Sequence, residues 1–291
     1  MKAAAFSQAD ILEIISASIE NPNFFQKFSV SLPSVMATKV YSATQLDIDE
    51  ADEKLIGEYL TEGYGTIVRL KEVRKINHPS VKDTFNDLRT KLGVIYFYFL
   101  SVNKIKVKIG DYSIDAIDPL FVAEADGNLD ENLWDGQSVK WIEKERKLLL
   151  DTETGASCII SATQLPYPPI FNIIKESGAS EVNAAEIRQR YLIGAGNYGF
   201  YVYRNHRLIS WASSLQGIVP QDQDYYAFRG RILISDEADD YFNIDVKKSN
   251  IILSDDAWRA ISDYTEAGRY KSRKAWQNAG SNFNKIVSKR I

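Results

Sequence analysis

Apolar residues recur at spacing two in some segments of this chain and at spacing three and four in others, and the two patterns alternate along its length. A strand turns one face to its core every second residue, a helix every three or four, so the alternation specifies a mixed α/β chain. Ile11, Leu12, Ile14 and Ile15 read as a buried strand after a small-residue helix end over residues 2–9. Phe28, Val30 and Leu32 alternate as a second strand, and Asn21-Pro22-Asn23 between the two is a turn. Residues 47–60 read as a helix capped by Asp47 or Asp49, with Leu55, Ile56, Tyr59 and Leu60 on one face. Gly63-Tyr64-Gly65 breaks that helix, and Thr66 opens a strand running to Leu70. Ser80-Val81-Lys82-Asp83 has capping-box spacing ahead of a helix to about residue 102. Residues 105–109 alternate, Gly110-Asp111 makes a two-residue turn, and 112–117 return as a hairpin.

A polar, acidic stretch over 124–137 reads as a loop and as the boundary between two units. Beyond it, 158–162, 200–203, 231–234 and 251–253 read as strands and 183–192 as a helix. Ser254 caps a further helix whose first turn carries Asp255 and Asp256, which suits the helix dipole. Residues 268–291 hold seven Lys or Arg and no acid. The expected organisation is 1–120, 121–262 and a basic tail over 263–291.

At 291 residues and 45% hydrophobic, the chain can bury a sizeable core. A net charge of −4 gives no general attraction to nucleic acid or anionic lipid, which leaves only a local patch to provide one. No apolar run reaches the about 18 residues that a membrane span needs. The first 18 residues make a poor signal peptide, and Cys158 is the single cysteine, so a reducing, cytoplasmic setting is expected.

Several motifs can be set aside. Gly194-Ala195-Gly196-Asn197-Tyr198-Gly199 has dinucleotide-loop spacing, but a helix precedes it and a strand follows, the reverse of what aims free N–H groups at phosphates. His78 and His206 sit in polar turns, and no Gly-x-Ser-x-Gly elbow accompanies them, so no hydrolase triad is expected. Asp236-Glu237-Ala238-Asp239-Asp240 lacks the glycine and spaced ligands of a calcium loop.

Four stretches carry a resemblance. Lys2-Ala3-Ala4-Ala5-Phe6-Ser7, followed by a strand, is similar to the Gly-x-Gly-Leu-Lys-x-Ala segment of GHKL ATPases, the superfamily of gyrase B, MutL and the Microrchidia proteins. Gly65-Thr66-Ile67-Val68 resembles that family's Gly-Thr motif, which opens a strand on the wall of the adenine pocket. Gly199-Phe200-Tyr201-Val202-Tyr203-Arg204-Asn205-His206-Arg207 resembles a MutL transducer strand. Phe242-Asn243-Ile244-Asp245-Val246-Lys247-Lys248-Ser249 resembles the transducer segment with the phosphate-contacting lysine. The matches are collinear over about residues 2–253.

The resemblance implies an α/β (α+β) chain: an incomplete Bergerat-type ATPase sandwich followed by a transducer-type α/β domain, a fold also found in a small-subunit ribosomal protein. It implies Lys248, with Lys247 as fallback, and Lys2 at the ATP phosphates, and Thr66 and Gly65 in the adenine pocket. A flexible ammonium that meets a γ-phosphate does so only while triphosphate is bound, and so couples nucleotide state to conformation. The family's Mg-ATP site also needs a helix with a catalytic Glu and a metal-binding Asn, and an Asp-x-Gly-x-Gly motif; neither is found in this sequence. This chain alone is therefore expected to bind neither ATP nor Mg, with an upstream ATPase segment as the missing part. A homodimer is the partner the resemblance implies; the clustered Lys and Arg of the tail suit DNA phosphates or equally the start of a longer helix, and no membrane partner is expected. Two functions follow: part of an ATP-driven conformational switch, or a non-catalytic interaction or dimerisation module that has lost nucleotide chemistry.

Overall fold

The computed structural model describes residues 5–74, 80–102, 105–168, 184–244 and 251–288. It is mixed α/β, built mostly from antiparallel sheet, and divides into two compact units, 1–84 and 85–291.

The first unit is a four-stranded antiparallel sheet. Its strands are β1 (Ala9–Ala17), β2 (Gln26–Ser31), β3 (Thr44–Leu46) and β4 (Gly65–Val73), in the order β3-β2-β1-β4. Helix α1 (Leu32–Thr38) packs on β1 and β2. Helix α2 (Glu50–Tyr59) is capped by Asp49 in a full capping box with Asp52, which selects Asp49 over Asp47. Helix α3 (Val81–Ile95) begins at the expected box, where the Ser80 hydroxyl accepts the Asp83 N–H at 3.1 Å, and the division into units falls inside this helix.

In the second unit, α4 (Phe97–Ser101) follows α3, and β5 (Lys108–Ile109) and β6 (Tyr112–Ser113) form the short hairpin turned at Gly110-Asp111. The remaining strands are β7 (Lys140–Leu149), β8 (Ser157–Gln164), β9 (Gly199–Arg204), β10 (Arg207–Ser213) and β11 (Phe228–Ile234). They make a five-stranded sheet in the order β10-β9-β11-β8-β7, in which β9 and β11 run parallel and every other pair is antiparallel. Helix α5 (Ala184–Arg190) precedes β9, and α6 (Asp239–Phe242) follows β11.

Helix α7 (Asp255–Ser288) runs 34 residues, about 51 Å at the usual rise per residue. Ser254 caps it as expected, accepting the Ala257 N–H at 3.2 Å. Ala257 and Ile261 close one face of the five-stranded sheet over Ile160, Val202 and Ile232. Farther along, Ala275, Trp276 and Ala279 pack with Leu129, Trp134 and Leu165 in a second core. At Gly268 a Cβ would lie 2.7 Å from Ile142 Cγ2, so the helix reaches this close to β7 only with glycine there. On the opposite sheet face, Tyr201 and Tyr203 pack under Val94, and the Tyr203 hydroxyl donates to the Val94 carbonyl at 2.8 Å.

Three expectations change. The stretch 124–137 lies within the second unit, where Leu129 and Trp134 enter the core; its acidic composition hides two anchors. Residues 263–288 are not a separate tail but the body of α7. Residues 251–253 form no strand: Leu253 is buried, but its N–H is taken by the Gln216 side-chain oxygen at 2.8 Å instead of a ladder.

Candidate functional site

The Gly-Thr pair sits at the start of β4, beside the end of β1. Gly65 has φ +131°, a backbone angle that favours glycine in the turn out of α2, and a Cβ there would lie 2.6 Å from Cδ2 at the movable end of Leu60. Its carbonyl accepts a hydrogen bond from the Ser16 hydroxyl at 3.2 Å. The Thr66 hydroxyl is exposed and lies 2.8 Å from that of Ser16, its cross-strand partner. Side chains alternate across a strand, so Thr66 shares a sheet face with Ser16, Ile14, Val68 and Phe28. Ile14 pairs with Phe28 on one side and Val68 on the other. Phe28 is 37% exposed and Val68 46%, an apolar row open to solvent beside the two hydroxyls.

The opposite face is closed by α2 and by charge. Lys27 Nζ lies 2.5 Å from Asp52 Oδ2 and 3.2 Å from Asp49 Oδ2. Arg69 bridges Glu13 and Asp52, at 2.5 and 2.6 Å, and Lys71 reaches Glu13 at 2.9 Å. Glu13, Lys27 and Asp52 are all buried. Burial alone would push the Asp52 and Glu13 carboxyls up, but hydrogen bonds from Lys27 and Arg69, and from Lys71 and Arg69, outweigh it and hold both below the usual carboxylate range. The hydrogen bond to Asp52 in turn holds Lys27 above the usual lysine range. The sequence signal for this network is a lone charge inside each of two apolar strands, Glu13 and Lys27, and a pair two residues apart in a third, Arg69 and Lys71.

Lys2, Lys247 and Lys248 lie outside the described residues, as does His78. The flanks of 245–250 are described, and they are tied together. Ser254 N–H donates to the Tyr241 carbonyl at 2.8 Å, and Asn243 Nδ2 to the Ile252 carbonyl at 3.0 Å. The Tyr241 hydroxyl donates to Asp151 at 2.6 Å; this bond and turn N–H groups bring the Asp151 carboxyl down to about 2.

The Tyr203-Arg204-Asn205-His206-Arg207 stretch is a β9–β10 hairpin. Asn205 and His206 take φ of 46° and 70°, as a two-residue turn between twisted strands requires. Arg204 binds Asp239 through two 2.6 Å hydrogen bonds and also meets Asp236, so the acidic run over 236–240 is a counter-charge rather than a free solvated turn. The glycine-rich stretch 194–199 joins α5 to β9, in the helix-then-strand order that set the dinucleotide motif aside.

Part of the basic charge on α7 is already used. Arg273 meets Asp222 and Asp224, and Arg269 donates to the Ile218 and Ser262 carbonyls. Among the described residues no group of three His, Cys, Asp or Glu side chains is placed to hold a metal ion. Cys158 is buried, which pushes its thiol up to about 12 and leaves it unreactive. No described helix is long and apolar enough to cross a membrane.

No family model matches this chain, and neither does any curated protein.

Proposed function

We propose that this chain is part of a GHKL-type ATP-binding protein, an ATP-driven conformational switch, with Gly65-Thr66 on the adenine wall and Lys248 as the contact to the terminal phosphate. The observation that carries the proposal is the Thr66–Ser16 hydroxyl pair on an open sheet face, beside exposed Phe28 and Val68 and the half-buried Ile14 between them. A nucleotide site needs polar groups that read the base edge and an apolar wall that accepts its ring. This face offers both and leaves room for a second wall. The metal-binding Asn, the Glu and the Asp-x-Gly-x-Gly element then come from a segment outside this sequence, which covers Phe28 and Val68.

The test is calorimetry with Mg and a non-hydrolysable ATP analogue, on the chain alone and on the chain fused to a segment carrying those three elements. The chain alone binds no tighter than on the order of 1 mM, and the fusion binds about a thousandfold tighter. Micromolar binding by the unfused chain contradicts the proposal, as does a fusion that folds and binds nothing. The exposed Phe28 and Val68 also favour the alternative, an interaction module without nucleotide chemistry. In that case the same face binds the supplied segment while the nucleotide does not bind.

A further inference from the structure

The second unit carries a cleft of about 450 Å³ that the nucleotide proposal does not use. Its floor is a row across the five-stranded sheet: Lys147 on β7 pairs with Ile159 on β8, and Ile159 with Leu233 on β11. The next residue in the row is Tyr203 on β9, which is buried under Val94, so the cleft opens where that cover stops. Ser157 and Ser235 edge it, and the β9–β10 turn brings His206 to its wall. The His206 ring is held in place by stacking on Tyr98, with centroids 5.1 Å apart and planes 27° from parallel.

Three features give the cleft a chemistry. Its floor is apolar, and Ile159 is 36% exposed in the middle of a sheet, where a branched aliphatic side chain is normally covered. Lys147 is exposed at the rim and makes no ion pair among the described residues. The carboxylates beside the turn are occupied: Asp236 and Asp239 are held by Arg204, and Asp236 also by Asn205. Glu145, two residues back along β7, meets Arg231 at 3.8 Å, so the Lys147 ammonium stands without an ion pair beside an uncovered apolar floor and attracts an anion that also has an apolar body. The cleft lies at the carboxyl ends of the neighbouring strands β9 and β11, where the β9–β10 turn and Ser235 bound it. The volume falls in the range of small-molecule sites.

We propose that this cleft binds a small hydrophobic monocarboxylate, with its apolar body on Ile159 and Leu233 against the His206 ring and its carboxylate on Lys147. The site stands independently of the nucleotide proposal.

The experiment is a titration of the full chain with 3-phenylpropanoate near neutral pH, followed by ligand-observed saturation-transfer NMR. Its neutral amide, 3-phenylpropanamide, is the control. A ligand of this size is expected to bind with a Kd on the order of 1 mM. The acid should bind about tenfold tighter than the amide, since a charge-assisted contact adds to the same apolar burial. Lys147→Met should erase the preference for the acid while the amide still binds. Ile159→Asp should remove binding of both. Lys147 and Ile159 both reach solvent, so the variants are expected to keep the parent's circular dichroism and melting profile, which is measured alongside. Equal binding of acid and amide by the parent overturns the proposal, as does a Lys147→Met variant that keeps the preference, or no saturable binding up to about 10 mM.

Discussion

Lys27 Nζ lies 2.5 Å from Asp52 Oδ2, and both side chains are buried between β2 and α2. The pair fastens α2 to the four-stranded sheet, and through Arg69 it joins a second pair at Glu13. Removing one partner of a buried ion pair strands the other charge, which costs more than the intact pair contributes. Lys27→Met should therefore destabilise the first unit by about 3 kcal/mol, read as a lower urea midpoint. A change under about 0.5 kcal/mol would mean that water reaches the pair freely.

The same network sets a pH dependence. Asp52 and Glu13 titrate below their ordinary values of 3.8 and 4.5 in the folded state. Their contribution is complete above those values and is lost as pH falls through the lowered ones. Lys27 is raised above its ordinary 10.5, so its contribution is complete below 10.5 and is lost as pH rises through the raised value. The melting midpoint of the first unit should fall as pH drops below 4.5, and Asp52→Asn should flatten that acid limb. A parent midpoint that does not move across the acid range would contradict the network.

Arg229 is fully buried and has no carboxylate partner among the described residues. It donates instead to the carbonyls of Tyr226 and Phe228 and to those of Tyr191 and Leu192 just beyond α5. Arg229→Met keeps the bulk but leaves buried carbonyls unpaired, at about 1–3 kcal/mol for such a group. Hydrogen exchange at the end of α5 should rise more than at β8. Uniform protection across both would show that the guanidinium does not hold that helix end.

Gly65→Ala places a Cβ against Leu60 at a backbone angle that L residues rarely adopt. It should cost about 1–3 kcal/mol. Thr66→Val, by contrast, keeps the strand and loses only the hydroxyl pair with Ser16. Thr66→Val should leave stability within about 0.5 kcal/mol of the parent and weaken nucleotide binding in the fused protein. Unchanged binding removes Thr66 from the adenine wall.

Local signals carried well from sequence to structure. The Asp49 and Ser254 caps, the Ser80 box, the Gly110-Asp111 hairpin and the strand opened by Thr66 all use residues a few positions apart. What could not be read depends on partners far away in the chain. Strand β7 is studded with charge from Glu143 to Lys147 and shifts register twice against β8, so it shows no clean alternation. The buried seam of α7 uses Ala257, Gly268, Ser272, Ala275 and Ala279, small residues that carry little periodic hydrophobicity beside a basic surface. At 251–253 three apolar residues resemble a strand, yet Gln216, 37 positions upstream, takes the N–H that a ladder would need. For the candidate site, Gly65-Thr66 was legible as a strand opening, whereas its hydroxyl partner Ser16 and the open row on that face appear only once β1 and β4 are paired.

The central claim is nucleotide sensing, and the most direct measurement is ATP turnover of the fused protein with Lys248→Ala against Lys247→Ala. Removing a charged donor from the transferring phosphoryl oxygens typically costs about 3 kcal/mol, roughly a hundredfold in rate. Lys248→Ala should lose turnover to that extent while ADP binding stays close to the parent's, because ADP lacks the phosphate the ammonium meets. Lys247→Ala should stay near the parent rate. If the fusion turns over ATP and neither substitution slows it, the lysine plays no part in sensing the nucleotide and the account is wrong.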